Sequence, residues 1–291
     1  MRSRVLHWGL TSLFTLVVAH GNAQTAPGQD STGLPGDHFS LQGALEMFKK
    51  AASPEEFEKL LNTQDNGVNN LDLNGDGDVD YVRVVDRASG DVHAFVLQVP
   101  VSGKENQDIA VIELEKTGSD SAMVQIIGDE DIYGEATIVE PDGGGDDGED
   151  IEDEGGGKGP FYLESSFASP FMPRVVVNVW GWPSVRFVYA PTYVVWASPW
   201  RWRAYPVWWH PWRPLAWRLF HPFRVRYRTG FAVVHTHRVV RAHRVYAPGR
   251  TTSVVVRSRY AGHVKHYRVT RTVKVKPGGV KVKTRVRRGR R

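Results

Sequence analysis

The first half of the sequence predicts an α+β fold, in which two helices precede and cover an antiparallel sheet of four strands. Apolar residues recur at helical spacing before residue 62, four short strand-like runs follow, and the turns that join these runs are short. Short connections favour antiparallel neighbours with helices on one face. The C-terminal part is expected to be irregular, β-rich and separated from this module by an acidic disordered linker.

Both predicted helices begin at a serine that can cap them. The first should cover about residues 41–51, with Ser40 as its N-cap. The second should begin after Ser53, because Pro54 suits the first helical position and Glu56 the third.

The four predicted strands follow in close succession. Alternation is clean in part of these runs: Val82 and Val84 flank Arg83, and Ile112 and Leu114 alternate with Glu113 and Glu115. The strands are expected at Tyr81–Val85, Val92–Val99, Ile109–Leu114 and Ala122–Ile127.

The N-terminus has the order of residues found in secretory signals. Basic residues stand in the first four positions, an apolar run extends from Leu10 to Ala19, and small residues lead to Ala23. An uncleaved anchor helix is the alternative, but the run is shorter than the roughly 20 apolar residues that span a bilayer. We expect a cleaved signal over 1–23, a disordered leader over 24–39, and a protein in the periplasm, outer envelope or extracellular space.

Charge divides the chain into two unlike parts. Residues 1–159 contain 10 basic and 31 acidic residues, a formal charge of −21, whereas residues 160–291 contain 27 basic residues and one acidic residue, a charge of +26. The absence of cysteine excludes disulfides, thiolate metal sites and a cysteine nucleophile. The expected organisation is an α+β module at 40–141, an acidic linker at 142–159, a Trp/Pro-rich segment at 160–222 and a basic, β-prone tail at 223–291.

A short acidic motif after the second helix has the spacing of a cation-binding loop. It runs Asp-Leu-Asn-Gly-Asp-Gly-Asp-Val-Asp from Asp72 to Asp80, and alternate oxygen-bearing side chains can converge on a hard cation. Gly77 permits the sharp turn. We therefore expect Ca²⁺ as the ligand, with a structural role; a solvated turn that binds nothing is the alternative. The predicted ligands are Asp72, Asn74, Asp76, Asp78 and Asp80.

The motif resembles the calcium loops of EF-hand-like, dockerin and FG-GAP proteins. It departs from a true EF-hand because Arg83 occupies loop position 12, where that family has glutamate, and because a strand is expected to follow. The resemblance covers about a dozen residues and implies a calcium site, not a propeller. The wider stretch 53–86 also resembles uncharacterised exported bacterial proteins, which implies no activity.

Tryptophan is concentrated in one proline-rich segment. Nine of the ten tryptophans lie between Trp180 and Trp217, where the prolines disfavour a long helix or a central strand. The indoles suit either a water–lipid boundary or the core of a small domain built on strands at Val175–Val179 and Val185–Tyr189. The sequence leaves both open.

The remaining chain alternates basic and β-branched residues. Val254–Tyr260 is expected to be a strand, and residues 273–283 a hairpin that turns at 277–279 with lysines opposed on one face. An anionic surface would relieve this repulsion; a disordered basic tail is the alternative. His235, His237 and His243 suggest a metal site, but the surrounding positive charge disfavours one. The sequence does not decide whether these histidines bind a metal.

No catalytic motif is recognisable, so we expect a non-catalytic envelope protein with a structural calcium site. Its cationic aromatic region should bind an anionic membrane or envelope polymer. The alternative is an extracytoplasmic nucleic-acid-binding protein that uses aromatic stacking and phosphate contacts. A third hypothesis is that the N-terminal sheet binds a partner protein. The residues expected at the anionic surface are Trp200, Arg201, Trp202, Arg203, Trp208, Trp209, Trp212, Arg213, Lys274, Lys276, Lys281 and Lys283.

Overall fold

Six antiparallel strands, joined in the order of the chain, form the sheet at the centre of the structure. The computed structural model describes residues 31–143 and 176–271. The described strands are β1 (Arg83–Ser89), β2 (Val92–Pro100), β3 (Asn106–Gly118), β4 (Ser121–Gly128), β5 (Thr137–Pro141) and β6 (Phe231–Val234). The described helices are α1 (Leu41–Lys50), α2 (Pro54–Leu61), α3 (Glu130–Tyr133), α4 (Pro183–Val188), α5 (Trp217–Val225), α6 (Val240–Tyr246) and α7 (Val254–Arg271).

Several sequence expectations lie outside the described residues. These are the signal at 1–23, the linker beyond residue 143, and the hairpin at 273–283 with Lys274, Lys276, Lys281 and Lys283. The class of mixed helix and sheet is as the sequence predicts.

The sheet joins the acidic and basic parts of the chain. Strands β1 to β4 correspond to the four predicted strands, whereas β5 and β6 were not predicted. β6 comes from the basic part and pairs with β5, placing Val234 opposite Ile138 and Val233 opposite Val139. Residues on both sides of the acidic segment therefore complete one sheet.

The two predicted helices and their caps are confirmed. Ser40 Oγ accepts a hydrogen bond from the Gly43 amide at 3.0 Å at the start of α1. Ser53 Oγ accepts one from the Glu56 amide at 3.1 Å at the start of α2. Each bond satisfies an amide that has no partner within the helix.

The inner face of the sheet packs against α1, α2 and α4 around a core of aromatic rings. Phe48 lies 5.3 Å from Phe57 and 5.2 Å from Phe95, measured between ring centroids. Val185 and Phe231 belong to the same buried cluster. The two described ranges thus share one hydrophobic core, and both belong to one compact unit, Ser31–Arg291.

The strand predicted over Val185–Tyr189 is wrong, because α4 covers most of it. Pro183 occupies the first turn, where its fixed φ favours a helix. Val185 and Val188 are both buried, and a separation of three residues places them on one side of a helix.

The strand predicted over Val254–Tyr260 is also wrong, since these residues begin α7. Ser253 Oγ accepts from the Val256 amide at 3.3 Å, and the Glu105 carboxylate accepts from the Val255 amide at 3.3 Å. A capping hydroxyl and a negative charge both stabilise a helix N-terminus. The described C-terminal residues are consequently more helical than the predicted β-rich region.

The end of the predicted leader is ordered. Leu34 and Phe39 are buried on either side of a 3-10 helix, Pro35–His38. The carboxylate of Asp37 accepts from the Thr32 amide at 2.6 Å, which holds the preceding residues against this turn. The composition of this segment predicted disorder, because composition gives no information about two individual apolar side chains that are buried against residues far along the chain.

A Trp-containing segment covers the edge of the sheet at β1. The Asp86 amide donates to the Trp196 carbonyl at 2.8 Å, and the Ser198 amide donates to the Val84 carbonyl at 3.0 Å. These bonds satisfy strand groups that would otherwise face solvent at an open edge.

An ion pair between the two described ranges stabilises the turn between β4 and β5. Arg250 donates from Nε and Nη2 to the two carboxylate oxygens of Asp129, at 2.6 and 2.9 Å. The Asp129 side chain is only 2 % exposed. Without Arg250 a buried carboxylate would lose its cation.

We predict that Arg250→Ala lowers the free energy of unfolding by about 3 kcal/mol, because removal of one partner leaves a buried charge uncompensated. Chemical denaturation of the full chain measures the change. Arg244→Ala, at an exposed position of α6, is the matched control and should change stability by less than about 0.5 kcal/mol. Equal stability of the two variants would contradict the assigned role of Arg250.

Candidate metal centre

The outer face of the sheet carries a row of buried polar side chains. Glu113 on β3 pairs in register with Gln125 on β4, and Glu115 and Glu140 lie on neighbouring positions of the same face. The Glu113 side chain is 0 % exposed. Burial of a carboxylate is costly unless it has partners, so the elements that cover this face determine its chemistry.

The segment that covers Glu113 runs from the end of β6 into α6. Gln125 fixes its path: its Oε1 accepts from the Arg238 amide at 2.7 Å and its Nε2 donates to the Thr236 carbonyl at 2.9 Å. Val239 and Ala242 are buried against the sheet. These contacts place His237, on the loop, and His243, on α6, beside Glu113.

Both histidines contact the Glu113 carboxylate directly. His237 Nε2 lies 2.5 Å from Oε2, and His243 Nδ1 lies 2.6 Å from Oε1. The two imidazole rings are nearly perpendicular, with centroids 4.9 Å apart. Three potential ligand atoms thus lie within 4.8 Å of one another.

Burial shifts the pKa of all three groups. It raises the pKa of Glu113 to about 9 and lowers the pKa of His237 and of His243, each by disfavouring the charged form. The charge of His243 lowers the pKa of His237 further. Each of these shifts favours the neutral imidazole, the form that binds metals.

The group of Glu113, His237 and His243 could hold a metal ion. One carboxylate and two imidazoles form a donor set suited to divalent transition metals. Within residues 31–143 and 176–271 it is the one cluster of three His, Asp or Glu ligand atoms found so close together. The ligands differ in access, since the side chains of His237 and His243 are 26 % and 40 % exposed while Glu113 is fully buried.

Sequence reasoning identified both histidines but not the carboxylate. His235, considered with them, is exposed and does not join the group. The positive charge expected to exclude a metal is largely neutralised locally, because Arg238 pairs with Glu140 and Arg241 with Glu115. Glu113 lies 124 residues before His237, and only its position on the polar face of a strand hinted at a role.

The acidic loop from Asp72 to Asp80 is folded by hydrogen bonds from its own backbone. The two Asp72 oxygens accept from the Gly75 and Gly77 amides at 2.6 and 3.0 Å. Asn74 Oδ1 accepts from the Asp76 amide at 2.7 Å. Positive φ angles of 73° and 89° at the two glycines explain why this turn requires them.

Asp80 differs from the other predicted ligands because it is buried. Its Oδ2 accepts from the Leu73 amide at 2.6 Å and its Oδ1 from Asn74 Nδ2 at 2.8 Å. Burial raises its pKa to about 7, and the charges of Asp72 and Asp76 add to this rise. Asp78 is exposed.

α7 closes over the same loop. Arg259 Nη2 donates to the Asn74 carbonyl at 2.5 Å, and the Tyr260 hydroxyl donates to the Asp72 carbonyl at 3.3 Å. The Arg259 guanidinium therefore places a positive charge beside the loop. The motif alone did not predict this contact, which arises 185 residues later in the chain.

The structure separates the predicted anionic-surface residues. Arg201 and Ala204 exchange backbone hydrogen bonds at 3.1 and 2.8 Å in a tight turn, and Arg203 within it has a φ of 57°. Trp209 is 5 % exposed, buried against Tyr81, so it belongs to the core. Arg201, Arg203, Trp208 and Arg213 are exposed, and Trp200, Trp202 and Trp212 are partly buried.

Trp200 and Trp208 line a cleft with two exposed carboxylates, Glu55 and Glu56. The ammonium of Lys59 lies 5.7 Å from the Trp208 ring centroid. This acidic surrounding disfavours anion binding at these two indoles. Of the predicted anionic-surface residues that the structure describes, the exposed basic ones are Arg201, Arg203 and Arg213.

None of the described helices is both long and apolar enough to cross a membrane. No family model, curated protein or solved structure matches the chain.

Proposed function

We propose that this chain is an exported, non-catalytic metal-binding protein of the cell envelope, in which Glu113, His237 and His243 bind a divalent transition-metal ion. The convergence of three ligand atoms within 4.8 Å supports this function best. The ligands come from the sheet, from the loop after β6 and from α6. An ion bound to all three would fasten the basic part of the chain to the acidic part.

The local charges favour such an ion. Guanidinium groups near Glu113 are paired with Glu115 and Glu140, and no arginine or lysine of the described residues forms an ion pair with Glu113. The two partly exposed imidazoles offer a route from solvent. Zn²⁺ suits the donor set, and Ni²⁺, Cu²⁺ and Fe²⁺ use the same ligand types.

We predict that calorimetry with ZnCl₂ and the full mature chain gives one binding event that involves this group. His243→Ala and Glu113→Gln should each weaken binding by more than about tenfold, since even groups outside the coordination shell change metal affinity by that factor. His235→Ala, an exposed histidine two residues from His237, is the control and should bind as the parent chain does. Unchanged affinity in His243→Ala would refute the assignment.

We also propose that Ca²⁺ binds the loop from Asp72 to Asp80. The spacing of its oxygen donors supports this second metal site. The hydrogen bonds within the loop use one lone pair on each Asp72 oxygen, and each carboxylate oxygen has a second. Asp80 is already bonded to Leu73 and Asn74, so it would contribute least.

For this loop we expect Asp76→Ala to abolish the heat of binding when CaCl₂ is added to the full mature chain. Asp76 stands at the centre of the motif, and loss of one carboxylate removes both a ligand and a charge. Asp120→Ala, in an exposed turn between β3 and β4, is the control. If the parent chain gives no heat, or if Asp76→Ala retains it, the loop is only a turn.

Binding to an anionic envelope surface is a second candidate function, and the arginines of the exposed turn favour it. Arg201, Arg203 and Arg213 are exposed and have no ion pair within the described chain, in contrast to Arg238, Arg241 and Arg250. The Arg203 guanidinium lies 5.5 Å from the Trp202 ring centroid, which combines charge with an aromatic surface.

The double variant Arg201→Ala/Arg203→Ala should bind phosphatidylglycerol vesicles more weakly than the parent chain, with a weaker salt dependence. Co-sedimentation at several salt concentrations measures both effects. The matched control is Arg186→Ala/Arg244→Ala, which removes two exposed arginines elsewhere. An equal loss in the control would contradict the role of the turn, and preferential binding of single-stranded DNA would instead identify a nucleic-acid binder.

A further inference from the structure

A cavity of about 370 Å³ lies between the inner face of the sheet and the end of α5. Its floor is formed by Val139 on β5 and by Phe231 and Val233 on β6, which share one face of the sheet through their register. Leu41, at the start of α1, lines one wall. Gln42, Tyr133 and Thr137 add polar groups to the lining. The size and the combination of apolar and polar side chains are those of a small-molecule site.

Two arginines are the charged groups of this cavity. Arg224 lies near the end of α5, and Arg228 lies shortly after it. Arg224 Nη1 donates to the Asp37 carbonyl at 3.0 Å, and its guanidinium lies 5.4 Å from the Trp217 ring centroid. Neither contact supplies a negative charge.

No carboxylate of residues 31–143 or 176–271 forms an ion pair with Arg224 or Arg228. The nearby Asp37 carboxylate is bonded instead to the hydroxyl of Ser31 and the amide of Thr32. Burial lowers the pKa of Arg224; the charges of Tyr133 and Asp37 offset part of this shift, and the like charge of Arg228 adds to it. Two guanidinium groups that form no ion pair with a carboxylate of the described residues, beside apolar side chains, favour an anion between them.

We infer that this cavity binds an alkyl carboxylate of the fatty-acid type. Arg224 and Arg228 would hold the carboxylate, because guanidinium geometry matches carboxylate oxygens. The alkyl chain would lie on Val139, Phe231 and Val233. A cation is repelled by the same two groups, and a small polar anion would leave the apolar floor without a contact. None of these residues belongs to the metal centre or to the exposed turn.

The experiment is a calorimetric titration of the full mature chain with decanoate below its micellar concentration. Decanol, which keeps the chain but removes the charge, and acetate, which keeps the head group alone, should each bind at least about tenfold more weakly, since charge-assisted hydrogen bonds and apolar burial both contribute at that scale. Equal binding of decanol, or no binding of decanoate, would overturn the inference. Tighter binding of decyl phosphate than of decanoate would also contradict the carboxylate assignment.

Two variants locate the site. Arg228→Glu, at an exposed position, should lower decanoate affinity at least about tenfold by replacing a cation with an anion. Val233→Glu, on the floor of the cavity, should do the same without altering either arginine. Arg218→Ala removes an exposed arginine of α5 that does not line the cavity, and should leave affinity unchanged. Decanoate binding that survives both glutamate variants would place the ligand elsewhere.

Discussion

The structure depends on the compensation of carboxylates that the sheet buries. Glu113, Glu115, Asp129 and Glu140 all belong to the acidic first part of the chain and are nearly or fully buried. A buried carboxylate without a partner is strongly unfavourable. Their partners come from the basic second part. The burial of these carboxylates therefore depends on contacts between the two parts of the chain. Within the described residues, some of the opposite charges of the two parts thus meet inside one fold.

The candidate metal centre is the exception within this pattern. Glu115, Asp129 and Glu140 are each paired with an arginine, which is permanently charged and cannot bind a metal. At Glu113 two imidazoles take the place of a guanidinium. Imidazole is a weak base whose neutral form binds transition metals, so this one position combines burial with ligand chemistry.

Among the described residues, two separate pairs of arginines without an ion pair lie beside apolar or aromatic side chains. In the exposed turn, Arg201 and Arg203 stand beside an indole, a combination suited to an extended anionic surface. In the cavity, Arg224 and Arg228 lie beside the apolar side chains of Val139, Phe231 and Val233, a combination suited to one amphiphilic molecule. The two arginine pairs therefore acquire different binding properties from their apolar or aromatic neighbours.

Local pattern determined the first helices, four strands and the acidic loop, because caps, periodicity and turn residues act within a few positions of each other. It failed at α4 and α7, where alternation suggested strands but Pro183 and the contact of Glu105 with the start of α7 favour helices. Tertiary structure alone placed Glu113 against His237 and His243, since 124 and 130 residues separate them. Local sequence patterns contain no information about this contact. It results from the pairing of β6 with β5 and from the packing of α6 on the sheet.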